Sequence, residues 1–195
     1  MVAAQPLQSI PRLPTYADIE ALPEHLVGEI LDGELVVSPR PALAHARAAA
    51  AIMVVIGAAY GNDFGGLGGW HILVEPELSL GVDRRFDPVV PDLAGWRVET
   101  MPNVPLTAQA KVVPDWVCEV TSPSSIRHDR VLKLPFYARA GVRHVWLVDP
   151  LVKTLEVFRL VDGLWQVAAS FGGDDVVRAE PFDGVDLPLK ALWPS

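Results

Sequence analysis

The sequence predicts an α/β fold, a mixed central β-sheet flanked by helices with β-hairpins at its edges. Two Asp-Gly pairs, Asp32-Gly33 and Asp162-Gly163, lie between runs of alternating apolar and polar residues. Such pairs mark hairpins because both turn positions need positive φ. Residues 116–121 and 143–148 are short, almost wholly apolar runs on either side of a helical stretch. Strand, helix and strand within about 35 residues imply a right-handed parallel crossover. Residues 42–60 are rich in alanine, which loses no side-chain entropy in a helix.

In chain order, residues 1–13 form an arm with Pro6 and Pro11 and little periodicity. Thr15 is an N-cap for a short helix over 16–22, with Asp18 at its third position and Pro23 stopping it. Residues 26–37 form the first hairpin. Residues 38–41 open the long helix to about residue 60, and the glycines of 61–69 end it. Strands are expected over 70–80 and 89–96, joined by a charged loop with Asp83, Arg84, Arg85 and Asp87; Pro102 and Pro105 mark an irregular connection. The 116–121 strand has the apolar character of a sheet centre buried on both faces. Ser124 or Ser125 caps a helix running to about residue 140, Pro135 gives it a kink or a late start, and Gly141 stops it. Residues 155–161 and 164–170 make the second hairpin. With no internal repeat and no linker, residues 14–195 read as one domain.

That size suits one compact domain, the chain being 195 residues and 21.2 kDa. Hydrophobic residues make up 50% and mean hydropathy is +0.27, which argues against disorder. The lone cysteine, Cys118, excludes an internal disulfide framework and a cysteine-based zinc finger, and fits a reducing cytoplasm. Residues 1–14 lack the basic start and apolar stretch of a secretory signal. The longest uncharged, mostly apolar run, residues 48–62, is shorter than the ~20 apolar residues that span a bilayer, so a buried core helix and no membrane partner are expected. Net charge is -8, yet residues 121–143 carry +4, which leaves -12 on the rest. A basic segment thus sits on an acidic body.

Three short segments carry the candidate chemistry: Val90-Pro91-Asp92, Cys118-Glu119-Val120-Thr121, and Lys133 on the following helix. A carboxylate inside an apolar strand is costly unless it is paired, hydrogen-bonded or metal-bound. Strand alternation puts Asp115, Val117, Glu119 and Thr121 on one face and Trp116, Cys118 and Val120 on the other. Asp92 and Glu119, on neighbouring strands, can converge on one hard cation, Mg²⁺ or Mn²⁺; alternatively each pairs with an arginine or caps a backbone end. Asp129, Lys133 and Tyr137 recur at four-residue spacing, with Arg130 one place off. They either deliver a lysine to the Glu119 strand or form a solvated face with an Asp129–Lys133 ion pair. At ~3.3 Å per residue, Asp115 lies about 13 Å from Glu119 along the strand, too far to share an ion.

Other signals point to structure. The Gly65-Gly66-Leu67-Gly68-Gly69 run lacks a P-loop lysine and a following helix, and so reads as a flexible loop. The five histidines, His25, His45, His71, His128 and His144, show no zinc-binding pair at four-residue spacing. Ser122, Ser124 and Ser125 lack a nucleophile elbow and read as turn and cap residues. Cys118 is inert packing, and the tryptophans are mostly core, with Trp70 or Trp96 open to stacking on a base.

The residues resemble the Uma-type endonuclease family of the PD-(D/E)XK nuclease superfamily. The likeness runs from Gly28-Glu29-Ile30-Leu31-Asp32-Gly33-Glu34-Leu35, His45 and Val90-Pro91-Asp92-Leu93 to the stretch Pro114 to Ser124. It continues through Asp129, Lys133, Tyr137-Ala138-Arg139-Ala140-Gly141-Val142 and Trp146-Leu147-Val148-Asp149-Pro150. The resemblance implies a restriction endonuclease-like fold and Mg²⁺- or Mn²⁺-dependent hydrolysis of DNA. Asp92 and Glu119 would hold the metal, and Lys133 would assist the water or the phosphate. Threonine stands at position 121, where the general motif has lysine, so Lys133 takes that role. The long helix has no carboxylate; Glu29 substitutes, with Glu77 behind it and His45 as a polar partner, while Asp129 and Tyr137 support the site. Arg127, Arg130 and Arg139 are the candidate DNA-backbone contacts, and a homodimer suits cleavage of two strands. The alternative is a noncatalytic nuclease-fold module that binds nucleic acid or a protein partner.

Overall fold

A computed structural model describes residues 12–38, 41–62 and 65–194; residues 1–11 of the expected arm and residues 39–40 of the expected helix start lie outside them. Thr15 and Asp18 form a reciprocal capping box that starts α1 (Tyr16–Glu20), with the Thr15 N–H donating to Asp18 Oδ2 at 2.7 Å. The first hairpin pairs β1 (Val27–Leu31) with β2 (Glu34–Ser38). Its turn residues Asp32 and Gly33 have φ of +52° and +82°, as the Asp-Gly pair requires.

The central sheet has six strands in the order β10-β9-β8-β7-β5-β3: β3 (Trp70–Val74), β5 (Leu93–Arg97), β7 (Trp116–Val120), β8 (His144–Asp149), β9 (Thr154–Val161) and β10 (Leu164–Gly172). Only β7 and β8 run parallel, as the strand-helix-strand pattern predicts, and all other neighbours are antiparallel. The β9–β10 turn again places an Asp-Gly pair at positive φ, Asp162 at +52° and Gly163 at +77°.

The two strands expected over 70–80 and 89–96 are shorter than the sequence suggests. The first breaks at Glu75, whose φ is +48°, and at Pro76, which has no N–H for a ladder. Beyond the break, β4 (Glu77–Leu78) pairs in parallel with β6 (Gln109–Ala110). Pro91 likewise delays β5 to Leu93, leaving Val89 in an isolated bridge to Leu78. The Glu75 N–H donates to the Asp92 carbonyl at 3.0 Å, so the ends of β3 and β5 stay tied beside Asp92.

Each face of the sheet carries its own layer. The helix α2 (Leu43–Tyr60) is 18 residues long and, by length and composition, apolar enough to cross a membrane. Its Ala48, Ile52, Ile56 and Tyr60 are nevertheless buried with Trp116, Cys118, Val120, Trp146 and Val148. A C-terminal segment completes this layer through Val177, Phe182, Leu187, Leu189 and Trp193. Phe182 is its hub, with its ring 4.9 Å from Tyr60, 4.8 Å from Trp70, 4.9 Å from Trp116 and 5.7 Å from Trp146. Trp70 and Trp96 are only 3% and 0% exposed, so both are core residues with no face open to a base.

The opposite face holds Val117, Val145, Leu147, Ala94 and Trp96 against Phe136, Tyr137 and Val142. Phe136 and Tyr137 belong to α3, residues 128–140, a π-helical segment His128–Lys133 that continues as α-helix Leu134–Ala140. Ser122 and Ser125 close the turn that leads into the helix. The Ser125 N–H donates to Ser122 Oγ at 3.2 Å, and the Ser122 N–H to Ser125 Oγ at 3.0 Å. Pro135, which cannot donate to the preceding turn, follows the π segment and enters the α-helical part near its start. Gly141 ends the helix with φ +85°. Asp115 anchors the strand start, accepting the Arg97 N–H at 2.9 Å.

Truncating the ring that joins α2, the sheet and the C-terminal segment leaves a large cavity. Phe182→Ala is expected to lower unfolding free energy in urea by ~3–5 kcal/mol; a loss below about 1 kcal/mol would contradict this packing.

Candidate active site

A cavity of about 500 Å³ opens where β1, the start of α2, the Pro91-Asp92 turn, the end of β7 and the start of α3 meet. Its walls carry Glu29, His45, Glu75, Asp92, Glu119, Asp129 and Lys133. Alternation along β7 explains Glu119: Trp116, Cys118 and Val120 face α2, whereas Val117 and Glu119 face α3. In the antiparallel β5–β7 ladder Leu93 lies opposite Cys118, so one further step sets Asp92 beside Glu119.

Lys133 is 4% exposed and lies at the centre of the cluster. Its Nζ is 2.8 Å from Glu29 Oε1 and 3.5 Å from Glu119 Oε1, and it donates to the Val90 carbonyl at 2.9 Å. Glu29 Oε1 also accepts the Val90 N–H at 2.7 Å, so hairpin, turn and helix close into one ring. The Tyr137 hydroxyl donates to Glu119 Oε1 at 2.6 Å. Asp92 is held from two sides, by the Val120 N–H on Oδ2 at 2.6 Å and by His45 Nε2 at 2.7 Å from Oδ1.

The electrostatics are those of crowded, desolvated acids. Burial drives the Glu119 carboxyl well above its ordinary pKa; Asp129, Asp92 and Glu29 add to the rise, while Lys133 opposes it. Burial likewise raises Asp129 to about 6 against the pull of Lys133 and Ser125. For Lys133 burial works against the charge, but Glu119, Glu29 and Asp129 outweigh it and keep the ammonium protonated. Burial also pushes the Cys118 thiol up, which leaves it unreactive.

The structure therefore brings together Asp92, Glu119, Lys133, Glu29, His45 and Asp129, with Tyr137 bonded behind Glu119. Neither Asp92 nor Glu119 pairs with an arginine among the described residues. The solvated-face reading of α3 fails: Asp129 and Lys133 are 3% and 4% exposed, and Lys133 turns to Glu29 and Glu119 instead. Glu77 does not join the cluster, because the break at Glu75-Pro76 carries it to β4, beside Tyr16. Arg130 is engaged by Glu156, and Arg139 by Asp83 at 3.7 Å and the Phe86 ring. Arg127 is exposed, with no ion pair among the described residues. Sequence reasoning missed Glu75 in the wall and the backbone of Val90 and Val120; the Glu-Pro dipeptide marks the first, but nothing marks the others. Among the described residues no three or more His, Cys, Asp or Glu side chains already stand in metal-ligand geometry.

An acid whose folded pKa lies above its unfolded value of ~3.9 contributes stability below that value and loses it as pH rises through the folded pKa. With Asp129 at about 6, metal-free Asp129→Asn should melt higher than wild type at pH 8 and lose the advantage between about pH 6 and pH 4. Thermal melts at both ends of that window check this; a wild type at least as stable as the variant at pH 8 would contradict it.

A family model described as Uma2, "Putative restriction endonuclease", matches residues 13–190. No curated protein matches the chain. A crystal structure of a putative nuclease belonging to DUF820 from Anabaena variabilis shares the fold, with a TM-score of 0.69 at 21% identity over 92% of this chain and 97% of that one. With 178 of its 195 residues matched, the chain belongs to the Uma2 family of putative restriction endonucleases.

Proposed function

We propose that the protein is a metal-dependent phosphodiester hydrolase that cleaves DNA. The observation that carries this reading is the convergence of Asp92, Glu119 and Lys133, from three separate elements, on one cavity. Membership of a restriction endonuclease family supports the nuclease class and a nucleic-acid substrate.

The donor set suits a hard divalent cation. Five carboxylates, Glu29, Glu75, Asp92, Glu119 and Asp129, line the cavity with one lysine and one histidine, and among the described residues the buried Asp129 Oδ2 has no hydrogen-bond partner. Oxygen donors and unbalanced negative charge fit Mg²⁺ or Mn²⁺, with Asp92 and Glu119 as the holding pair. When bound there, such an ion supplies a more acidic water and positive charge beside the phosphoryl oxygens.

The chain's own groups do the rest. The Val120 N–H and His45 fix the orientation of Asp92, and Tyr137 fixes that of Glu119. Lys133, kept charged by its acidic neighbours and steered by the Val90 carbonyl, would have to exchange Glu119, its longest contact at 3.5 Å, to hydrogen-bond a phosphoryl oxygen or orient the attacking water. Arg127 is the exposed candidate for a backbone phosphate contact; Arg130 and Arg139 would have to exchange Glu156 and Asp83 for phosphate. Such contacts weaken as salt rises. A noncatalytic binding module is the second reading, favoured by the fact that protein donors already engage Asp92, Glu119 and Glu29.

Asp92→Asn keeps the side-chain volume and removes the charge. It should lower Mg²⁺-dependent plasmid cleavage by at least about 100-fold with the near-UV spectrum unchanged, and a chelator should abolish wild-type cleavage. Undiminished cleavage by the folded variant would refute the mechanism, and metal-dependent cleavage by purified wild type would refute the noncatalytic reading.

A further inference from the structure

Among the described residues, Asp129 is a buried carboxylate of the cavity with an oxygen left unpartnered. It is 3% exposed and lines the same cavity as Asp92 and Glu119, yet its buried Oδ2 has no hydrogen-bond partner among the described residues. A buried carboxylate oxygen left unpaired is strongly disfavoured. The lysine one helical turn further on is already committed. Lys133 has three N–H donors, and its Nζ faces Glu29, Glu119 and the Val90 carbonyl. His45 is held by Asp92, and Arg130, the residue next to Asp129, by Glu156. Among the described residues no Lys, Arg or His forms an ion pair with Asp129.

Resting on the reading of this cavity as a divalent-cation centre, we propose that Asp129 is a further ligand of that cation, presented from the π segment of α3 alongside Asp92 and Glu119. A hard divalent ion satisfies the orphan oxygen and offsets the excess negative charge in one step. The π segment His128–Lys133 carries both Asp129 and Lys133 into the cavity, so one widened turn delivers an anionic ligand and a fixed ammonium to the same place.

The test measures Mn²⁺ binding by the loss of the free-ion paramagnetic resonance signal and by the metal-induced rise in melting temperature. The samples are wild type, Asp129→Asn, Asp129→Ser, Asp92→Asn and Glu75→Gln. Glu75 lines the cavity but is exposed, so Glu75→Gln removes the same charge without removing a proposed ligand. Both Asp129 variants should bind Mn²⁺ at least ~10-fold more weakly than wild type and show a smaller melting shift, whereas Glu75→Gln should lose about 3-fold or less. If the folded Asp129 variants match Glu75→Gln while Asp92→Asn loses binding, Asp129 is not a ligand and the cation centre stands without it. If wild type binds no Mn²⁺, the centre itself is wrong and the role of Asp129 falls with it.

Discussion

The ammonium of Lys133, withdrawn from solvent between Glu29, Glu119 and the Val90 carbonyl, is the interaction on which the site depends. A buried charge persists only where partners and hydrogen bonds replace its water, and removing one partner of such a set typically costs ~3–5 kcal/mol. Here the partners come from the first hairpin, the central strand and the turn before β5, so each of these elements is fixed relative to α3 by the same atom. The Val90 N–H completes the arrangement by donating to Glu29.

Around that lysine the negative charge is not balanced. Glu29 and Glu119 face it directly, Asp92 is shared between His45 and a backbone N–H, and Asp129 has an oxygen with no partner among the described residues. The two apolar layers allow this arrangement. Phe182 and the tryptophans close one face of the sheet, while Phe136, Trp96 and Val145 close most of the other. The polar groups are thereby confined to one end of β7, where burial raises Glu119 and Asp129 together. An added cation would relieve that crowding, which is how the proposed chemistry would act on the stability of the region.

Where the sequence was informative, the reason was local. Asp32-Gly33 and Asp162-Gly163 demand a backbone geometry that few residue pairs accept, and both hairpins turn there. Glu119 stands out as a carboxylate in an apolar strand, and alternation along that strand already assigns its face. The partner of Lys133 is a different matter. Four-residue spacing points to Asp129, but the ammonium pairs with Glu29, 104 positions earlier in the chain, through tertiary contacts that no local pattern encodes. Glu77 was a plausible supporting acid until a positive φ at Glu75 and a proline redirected the strand. The segment around Phe182 has no periodicity to announce it, although its ring meets four other aromatic rings in the core.

The central claim is that Glu119 and Asp92 form a metal centre that cleaves nucleic acid, and calorimetric titration of Mg²⁺ into wild type and Glu119→Ala, with plasmid cleavage followed in the same samples, tests it most directly. The account predicts that wild type binds and cleaves and that both properties vanish in the folded variant. A wild type that takes up no metal, or a variant that binds and cleaves as well as wild type, would contradict it.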